Sequence, residues 1–218
     1  KKVVAIEKDQ LLARELAEYL KFPISNFQKS FKIQKSKLEI IEGDALKTLP
    51  SLIRNSNYKV VGNIPYYITG YLLRILGGLE NKSSLTVLTI QKEVALRICT
   101  KPPKMNLLAA SVQFWAQPKI IDFIEKAAFS PQPEVDSAII KLVPKKVVKK
   151  KENYYKLINI LFKQPRKTAL NNLAYGLKIT KEEVIKIITR QDIKPDTRPQ
   201  NLTIHDLITL SNVFPNKK

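Results

Sequence analysis

With 218 residues, 44% of them apolar, the chain has material for one substantial core and a smaller second one, which bounds it to one or two domains. Its 38 lysines and arginines against 19 acidic residues give a formal charge of +19, more than solubility requires, and no apolar run nears the ~18 residues of a membrane span, so nucleic acid is favoured over anionic lipid as the partner. One cysteine, Cys99, excludes an intrachain disulfide framework and, with the single His205, leaves little for a protein-only zinc site; a cytoplasmic, reducing compartment and no metal are expected.

The run VVAI (3–6) closes on Glu7 and is followed, after Asp9, by Leu11, Leu12, Ala13, Leu16, Ala17 and Leu20 at helical spacing. This strand–turn–helix grammar returns three times. LEIIEGD (38–44) precedes ALKTLP (45–50), KVVGN (59–63) precedes YLLRIL (71–76), and LTVLTI (85–90) precedes KEVALRI (92–98). Strands alternating with helices predict a parallel α/β sheet. Beyond residue 106 the rhythm changes: AASVQFW (109–115), IIDFI (120–124) and SAIIKLV (137–143) read as strands without long helices between them, an antiparallel finish. The lysine-rich PKKVVKKK (144–151) reads as a linker and the remainder of the chain as helical, with capping boxes from Thr180 to Glu183 and from Thr203 to Asp206. Two domains are expected, 1–145 and 146–218. The second is the more basic, with 18 basic and 6 acidic residues after position 140 against 20 and 13 before it. A surface that tracks phosphates fits this asymmetry, the plainer alternative being a solvated lysine-rich face.

In an open parallel sheet, ligands bind beyond the carboxyl ends of the strands, here marked by Glu7, Asp44 and Asn63. An acid there can accept from ribose hydroxyls, the role expected of Glu7, while Asp44 could accept from an adenine amine; a first-turn acid and an N-cap are the competing readings. In VVGNIPYYIT (60–69) the strand ends on an amide, and Pro65 stiffens the turn after it. The Asn63 side chain and a nearby backbone carbonyl could grip one NH₂ group, and Tyr66 offers a face for an extruded base. An exocyclic adenine amine is a poor nucleophile because its lone pair is delocalised into the ring. Two acceptors around it favour a pyramidal nitrogen, so no strong base is required.

The stretches VGNIPYYI (61–68), QKEVALR (91–97), FSPQPEVDSA (129–138), RKTALNNL (166–173) and RPQNL (198–202) together resemble the ribosomal RNA adenine N6-dimethyltransferases, most closely those acting on the small-subunit (16S) RNA. That resemblance implies a Rossmann-like methyltransferase domain using S-adenosylmethionine and a small all-helical domain that contacts rRNA. It also implies a product, two adjacent adenosines near the 3′ end of 16S rRNA, each dimethylated on the amine. By position, Glu7 with adjoining Lys8 is the ribose side of the cofactor site and Asp44 with Ala45 the adenine side. Asn63, Ile64 and Pro65 form the amine-gripping loop, Asn63 bordering the cofactor too. Tyr66 stacks on the target base, Phe129 forms a second wall, and Arg166 with Lys167 belongs to a basic helix that approaches RNA.

The chain departs from the family at the front. It starts at what the family has as its second strand and contains no G-x-G for the cofactor's methionine end, so a preceding segment is expected. QPRK (164–167) also has one arginine where the family commonly has two. Three other readings stay open. A 23S rRNA methylase of the erythromycin-resistance type shares N-I-P-Y and F-x-P-x-P but not the DSA and RKTALNNL stretches. A non-catalytic RNA-binding assembly or transcription factor would have the same fold, and a DNA adenine methylase ranks last. A monomer is expected.

Overall fold

The computed structural model describes residues 2–21, 38–53, 57–145 and 151–214. The chain divides into two compact units, residues 1–56 with 79–81, and residues 57–78 with 82–218.

In the first unit, β1 (Val3–Glu7) pairs in parallel with β2 (Leu38–Glu42), from Val3 opposite Leu38 to Glu7 opposite Glu42. Helix α1 (Gln10–Lys21) follows β1, and α2 (Ala45–Leu52) follows β2. Asp9 starts α1: its Oδ1 accepts from the Leu11 and Leu12 amides at 2.9 and 3.1 Å, satisfying donors that have no partner inside the helix. Of the apolar positions expected to face a core, Ala13 is buried but Leu11, Leu12 and Leu16 are exposed.

The second unit holds β3 (Lys59–Asn63), β4 (Leu85–Gln91), β5 (Ala116–Ile124) and β6 (Ser137–Pro144) in the order β3-β4-β6-β5, with β3 and β4 parallel and β6 antiparallel to both its neighbours. The antiparallel finish is as expected. The parallel strands are instead divided between two sheets, β1 and β2 forming their own among the described residues.

Register explains the core. Thr86 lies opposite Leu142, Leu88 opposite Ile140 and Ile90 opposite Ala138, and all six are fully buried. The inward faces of β4 and β6 therefore coincide, and a one-residue slip would turn both sets outward. Each leucine or isoleucine so buried contributes roughly 1.5–3 kcal/mol. Helices α4 (Lys92–Cys99) and α5 (Leu107–Gln113) pack on this sheet, and α3 (Thr69–Gly78) follows β3.

The expected strand at 109–115 is a correction, because most of it is α5. Asn106 Oδ1 accepts from the Ala109 amide at 2.9 Å, an N-cap that favours helix over strand for the Leu-Leu-Ala-Ala run behind it. A short apolar run fits a buried helix as well as a buried strand, and periodicity alone does not separate them.

Beyond residue 150 come α6 (Lys151–Leu161), α7 (Ala169–Leu177), α8 (Lys181–Thr189) and α9 (Ile204–Val213). Both expected capping boxes are present, Thr180 with Glu183 and Thr203 with Asp206. Helix α6 buries Tyr154, Leu157, Ile158 and Leu161, one face at helical spacing. The Tyr154 ring stacks on Phe114 at 4.0 Å, and its hydroxyl donates to the Ala110 carbonyl at 2.9 Å. The helical segment thus shares a compact unit with the four-stranded sheet. Residues 146–150, the middle of the expected linker, lie outside the described residues. No helix among the described residues is long and apolar enough to cross a membrane. Cys99 is half-buried, which pushes its thiol pKa up, and His205 is exposed on α9.

Candidate active site

In the first unit, Glu7 closes β1 half-buried, and its Oε1 accepts from the Asp9 amide at 2.9 Å. Its other carboxylate oxygen has no protein partner among the described residues, so it is available to a hydroxyl donor. Asp44 Oδ1 caps α2 by accepting from Leu46 at 2.9 Å, which realises the N-cap reading; Oδ2 lies 3.9 Å from Nζ of the exposed Lys8. The half-buried Ala45 is the first residue of α2.

In the second unit, the carboxyl ends of β3 and β4 and the amino end of β6 adjoin, with Asn63 beside Thr89 and Gln91 beside Ser137. Asn63 is exposed, and its side-chain amide makes no hydrogen bond among the described residues. Pro65, at φ −55° and ψ 136°, turns the chain into a short 3₁₀ helix (Tyr66–Ile68). The Pro65 carbonyl accepts from the Ile68 amide at 3.2 Å, whereas that of Ile64 accepts no hydrogen bond among the described residues. Ile64, not Pro65, therefore has the backbone oxygen free to work beside the Asn63 amide. Tyr66 is half-buried, and its hydroxyl lies 2.6 Å from Oγ of the fully buried Ser137, fixing one edge of the ring. Tyr67 and Tyr71 by contrast are 75% and 64% exposed.

Phe129 is half-buried at the end of a 3₁₀ turn (Lys126–Ala128). Asp136 ties that turn down, its Oδ1 accepting from the Lys126 amide at 3.2 Å and its Oδ2 from Lys92 Nζ at 3.1 Å. The Asp136 backbone carbonyl also accepts from the Lys92 amide at 3.0 Å. The Lys92 hydrogen bond, then the Lys126 amide, hold the Asp136 carboxyl below its ordinary pKa. Lys92 Nζ also sits 5.4 Å from the centre of the Phe123 ring. Lys92, Asp136 and Ser137 lie inside the motifs QKEVALR and FSPQPEVDSA, yet their pairing over more than forty residues leaves no local trace in the sequence.

Arg166 and Lys167 are exposed, but they lie in the turn before α7 and not on a helix. Pro165 supplies no amide hydrogen, and Thr168 caps α7 through Oγ1, 3.2 Å from the Asn171 amide, so the helix begins only after them. The turn is stapled from inside. Buried Asn172 donates its side-chain NH₂ towards the carbonyls of Gln164, Thr168 and Lys167 at 3.0, 3.1 and 3.4 Å.

A mixed sheet flanked by helices, with candidate site residues at the carboxyl ends of its parallel strands, is a Rossmann-like arrangement. Two solved structures share the fold. A dimethyladenosine transferase from Plasmodium falciparum superposes with a TM-score of 0.75 at 24% identity, covering 96% of this chain and 80% of its own. The 23S rRNA methyltransferase ErmE gives 0.69 at 18%, covering 97% and 81%. Among curated relatives, the ribosomal RNA small subunit methyltransferase A of Dehalococcoides mccartyi is 36% identical over 219 residues, 97% of this chain and 71% of that protein. The enzyme of the same name from Mycoplasma capricolum is 35% identical, over 98% and 79%. The family model for ribosomal RNA adenine dimethylase matches residues 1–215. The chain belongs to that family and is an rRNA adenine dimethyltransferase.

Proposed function

We propose that the protein dimethylates the exocyclic amines of two adjacent adenosines near the 3′ end of 16S rRNA, during assembly of the small ribosomal subunit, with S-adenosylmethionine as methyl donor. One observation carries this reading: Asn63 stands exposed at a strand end, its amide and the adjacent Ile64 carbonyl without partners among the described residues, next to the anchored ring of Tyr66. Two acceptors are what an NH₂ group requires, and an aromatic face is what an extruded purine requires.

The Asn63 side-chain oxygen and the Ile64 carbonyl each accept one amine hydrogen, drawing the nitrogen away from planarity and localising its lone pair. Tyr66 stacks on the ring, a contact worth roughly 1–3 kcal/mol per base, and Phe129 bounds the other side. The alkylated amine is acidic and releases its proton to water, so these residues position the base and no strong base is required. For the donor, Glu7, with Lys8 adjoining, has a carboxylate oxygen without a partner among the described residues and suited to ribose hydroxyls, and Asp44 with Ala45 provides the adenine side. The donor supplies an electrophilic methyl on sulfur. Its nucleoside half fits these residues, while the 218 residues hold no G-x-G for its amino-acid half. Arg166 and Lys167 contact RNA phosphates from their exposed turn.

The relatives named for the small subunit, together with the DSA and RKTALNNL stretches, favour 16S over 23S RNA. The test is methyl transfer to purified small and large subunits from cells lacking the enzyme. Label in the small-subunit RNA is expected. Label confined to the large subunit would assign the erythromycin-resistance activity instead, and absence of donor binding by calorimetry would favour a binding-only factor.

A further inference from the structure

The two aromatic walls proposed for the base pocket belong to segments more than sixty residues apart, yet consecutive residues, Ser137 at the start of β6 and Asp136 just before it, bond to Tyr66 and to the turn that leads into Phe129. Ser137 is fully buried, with its hydroxyl 2.6 Å from that of Tyr66. Asp136 reaches the other way, accepting from the Lys126 amide three residues before Phe129 and from Lys92 at the start of α4. Lys92 closes the arrangement from its backbone as well, through its amide to the Asp136 carbonyl. The base of both connections is rigid, because Ser137 and Asp136 run directly into a strand whose Ala138, Ile140 and Leu142 are fully buried. We propose that Asp136 and Ser137 are positioning residues that set the separation and tilt of Tyr66 and Phe129, with Lys92 as the lock on the Phe129 side. This rests on the pocket reading given above.

A hydroxyl pair at 2.6 Å restrains a ring that packing alone leaves half open. Losing either hydroxyl removes the same restraint, so the two losses should not add. The experiment compares Ser137→Ala, Tyr66→Phe and the double variant in methyl transfer to small subunits, with melting temperature and RNA affinity measured alongside. Each single variant is expected to lower the turnover rate roughly tenfold, because a small misplacement of the reacting base is costly, and the double variant to match the singles within roughly twofold. RNA affinity stays at the wild-type value. Turnover in Ser137→Ala equal to wild type, or effects that multiply in the double variant, would overturn the proposal. Should Ser137→Ala fail to fold, Lys92→Met tests the other arm from the surface. It is expected to lower turnover, with recovery in Lys92→Arg; wild-type turnover in Lys92→Met would overturn that arm. A wild-type protein that methylates no rRNA adenine would reject the pocket reading itself, an outcome distinct from any of these.

Discussion

Replacing Asn172 separates presentation of the charge proposed to bind RNA from chemistry. Its amide bridges three carbonyls of the turn carrying Arg166 and Lys167, at 3.0, 3.1 and 3.4 Å, from a site only 6% exposed. The Gln164 carbonyl also accepts from the Lys167 amide and that of Thr168 from the Asn172 amide, so two of the three keep a partner when the side chain is removed. Asn172→Ala therefore loses about two net hydrogen bonds of about 1 kcal/mol each and leaves one further carbonyl to find water. Alanine recovers about 0.5 kcal/mol through better helix propensity, leaving a net cost of about 1.5 kcal/mol. For a chain of this size that corresponds to a melting temperature lower by roughly 3–6 °C. Asn172→Asp should be worse despite its shape, since a carboxylate brings only acceptors to three carbonyls. Thermal unfolding followed by circular dichroism gives the stability, and filter binding with small-subunit RNA gives the affinity. Affinity should fall in both variants while turnover at saturating RNA stays near wild type. An Asn172→Asp more stable than Asn172→Ala, or unchanged RNA affinity in both, would refute the stapling argument.

Arg166→Ala with Lys167→Ala should weaken RNA binding and flatten its salt dependence by roughly 0.7–0.9 in logarithmic slope for each phosphate no longer neutralised; an unchanged slope would remove the pair from the RNA surface. Lys82 donates to the Gly77 and Leu76 carbonyls at the end of α3, at 2.6 and 3.2 Å, and burial, then the nearby Lys151, lowers its pKa from 10.5 to about 8. Between those values the unfolded chain holds a proton that the folded one has released, so this group makes stability rise with pH across that window. Lys82→Met should lose that rise relative to wild type in chemical denaturation at pH 7.5 and about 10, and parallel curves would contradict it. A Cβ at Gly77 would lie 2.6 Å from Trp115 Nε1, so Gly77→Ala should cost roughly 1–3 kcal/mol by overpacking, read from the denaturation midpoint.

Much of the candidate site was legible in the sequence because its residues sit at strand ends, and strand ends follow from short apolar runs closed by polar residues. Glu7 and Asn63 both close the strands expected of them, and Asp44 caps the helix that follows its strand. The features that stayed hidden depend on single capping side chains or on distant partners. Whether residues 109–115 pair as a strand or coil as a helix was decided by the Asn106 cap, a single polar side chain outside the apolar run. The anchoring of Tyr66 by Ser137 spans 71 positions and that of Lys92 by Asp136 spans 44, distances over which composition and periodicity carry no information. The family resemblance implies a basic helix at Arg166 and Lys167, but Pro165 and the Thr168 cap place them in the turn before α7. The contact that seats α6 on α5, Tyr154 against Phe114 and the Ala110 carbonyl, likewise spans some forty residues and leaves no local trace.

The proposed chemistry centres on Asn63, and the measurement that tests it is the single-turnover rate of methyl transfer to small-subunit RNA by Asn63→Ala, with RNA affinity determined on the same preparation. Removing one of two acceptors for the amine should lower the rate by roughly 10²–10³-fold, the scale of losing one preorganised polar group at a reacting centre. Affinity should stay close to wild type, since Arg166 and Lys167 are untouched. A rate equal to wild type, or a loss explained entirely by weaker RNA binding, would contradict the role given to Asn63.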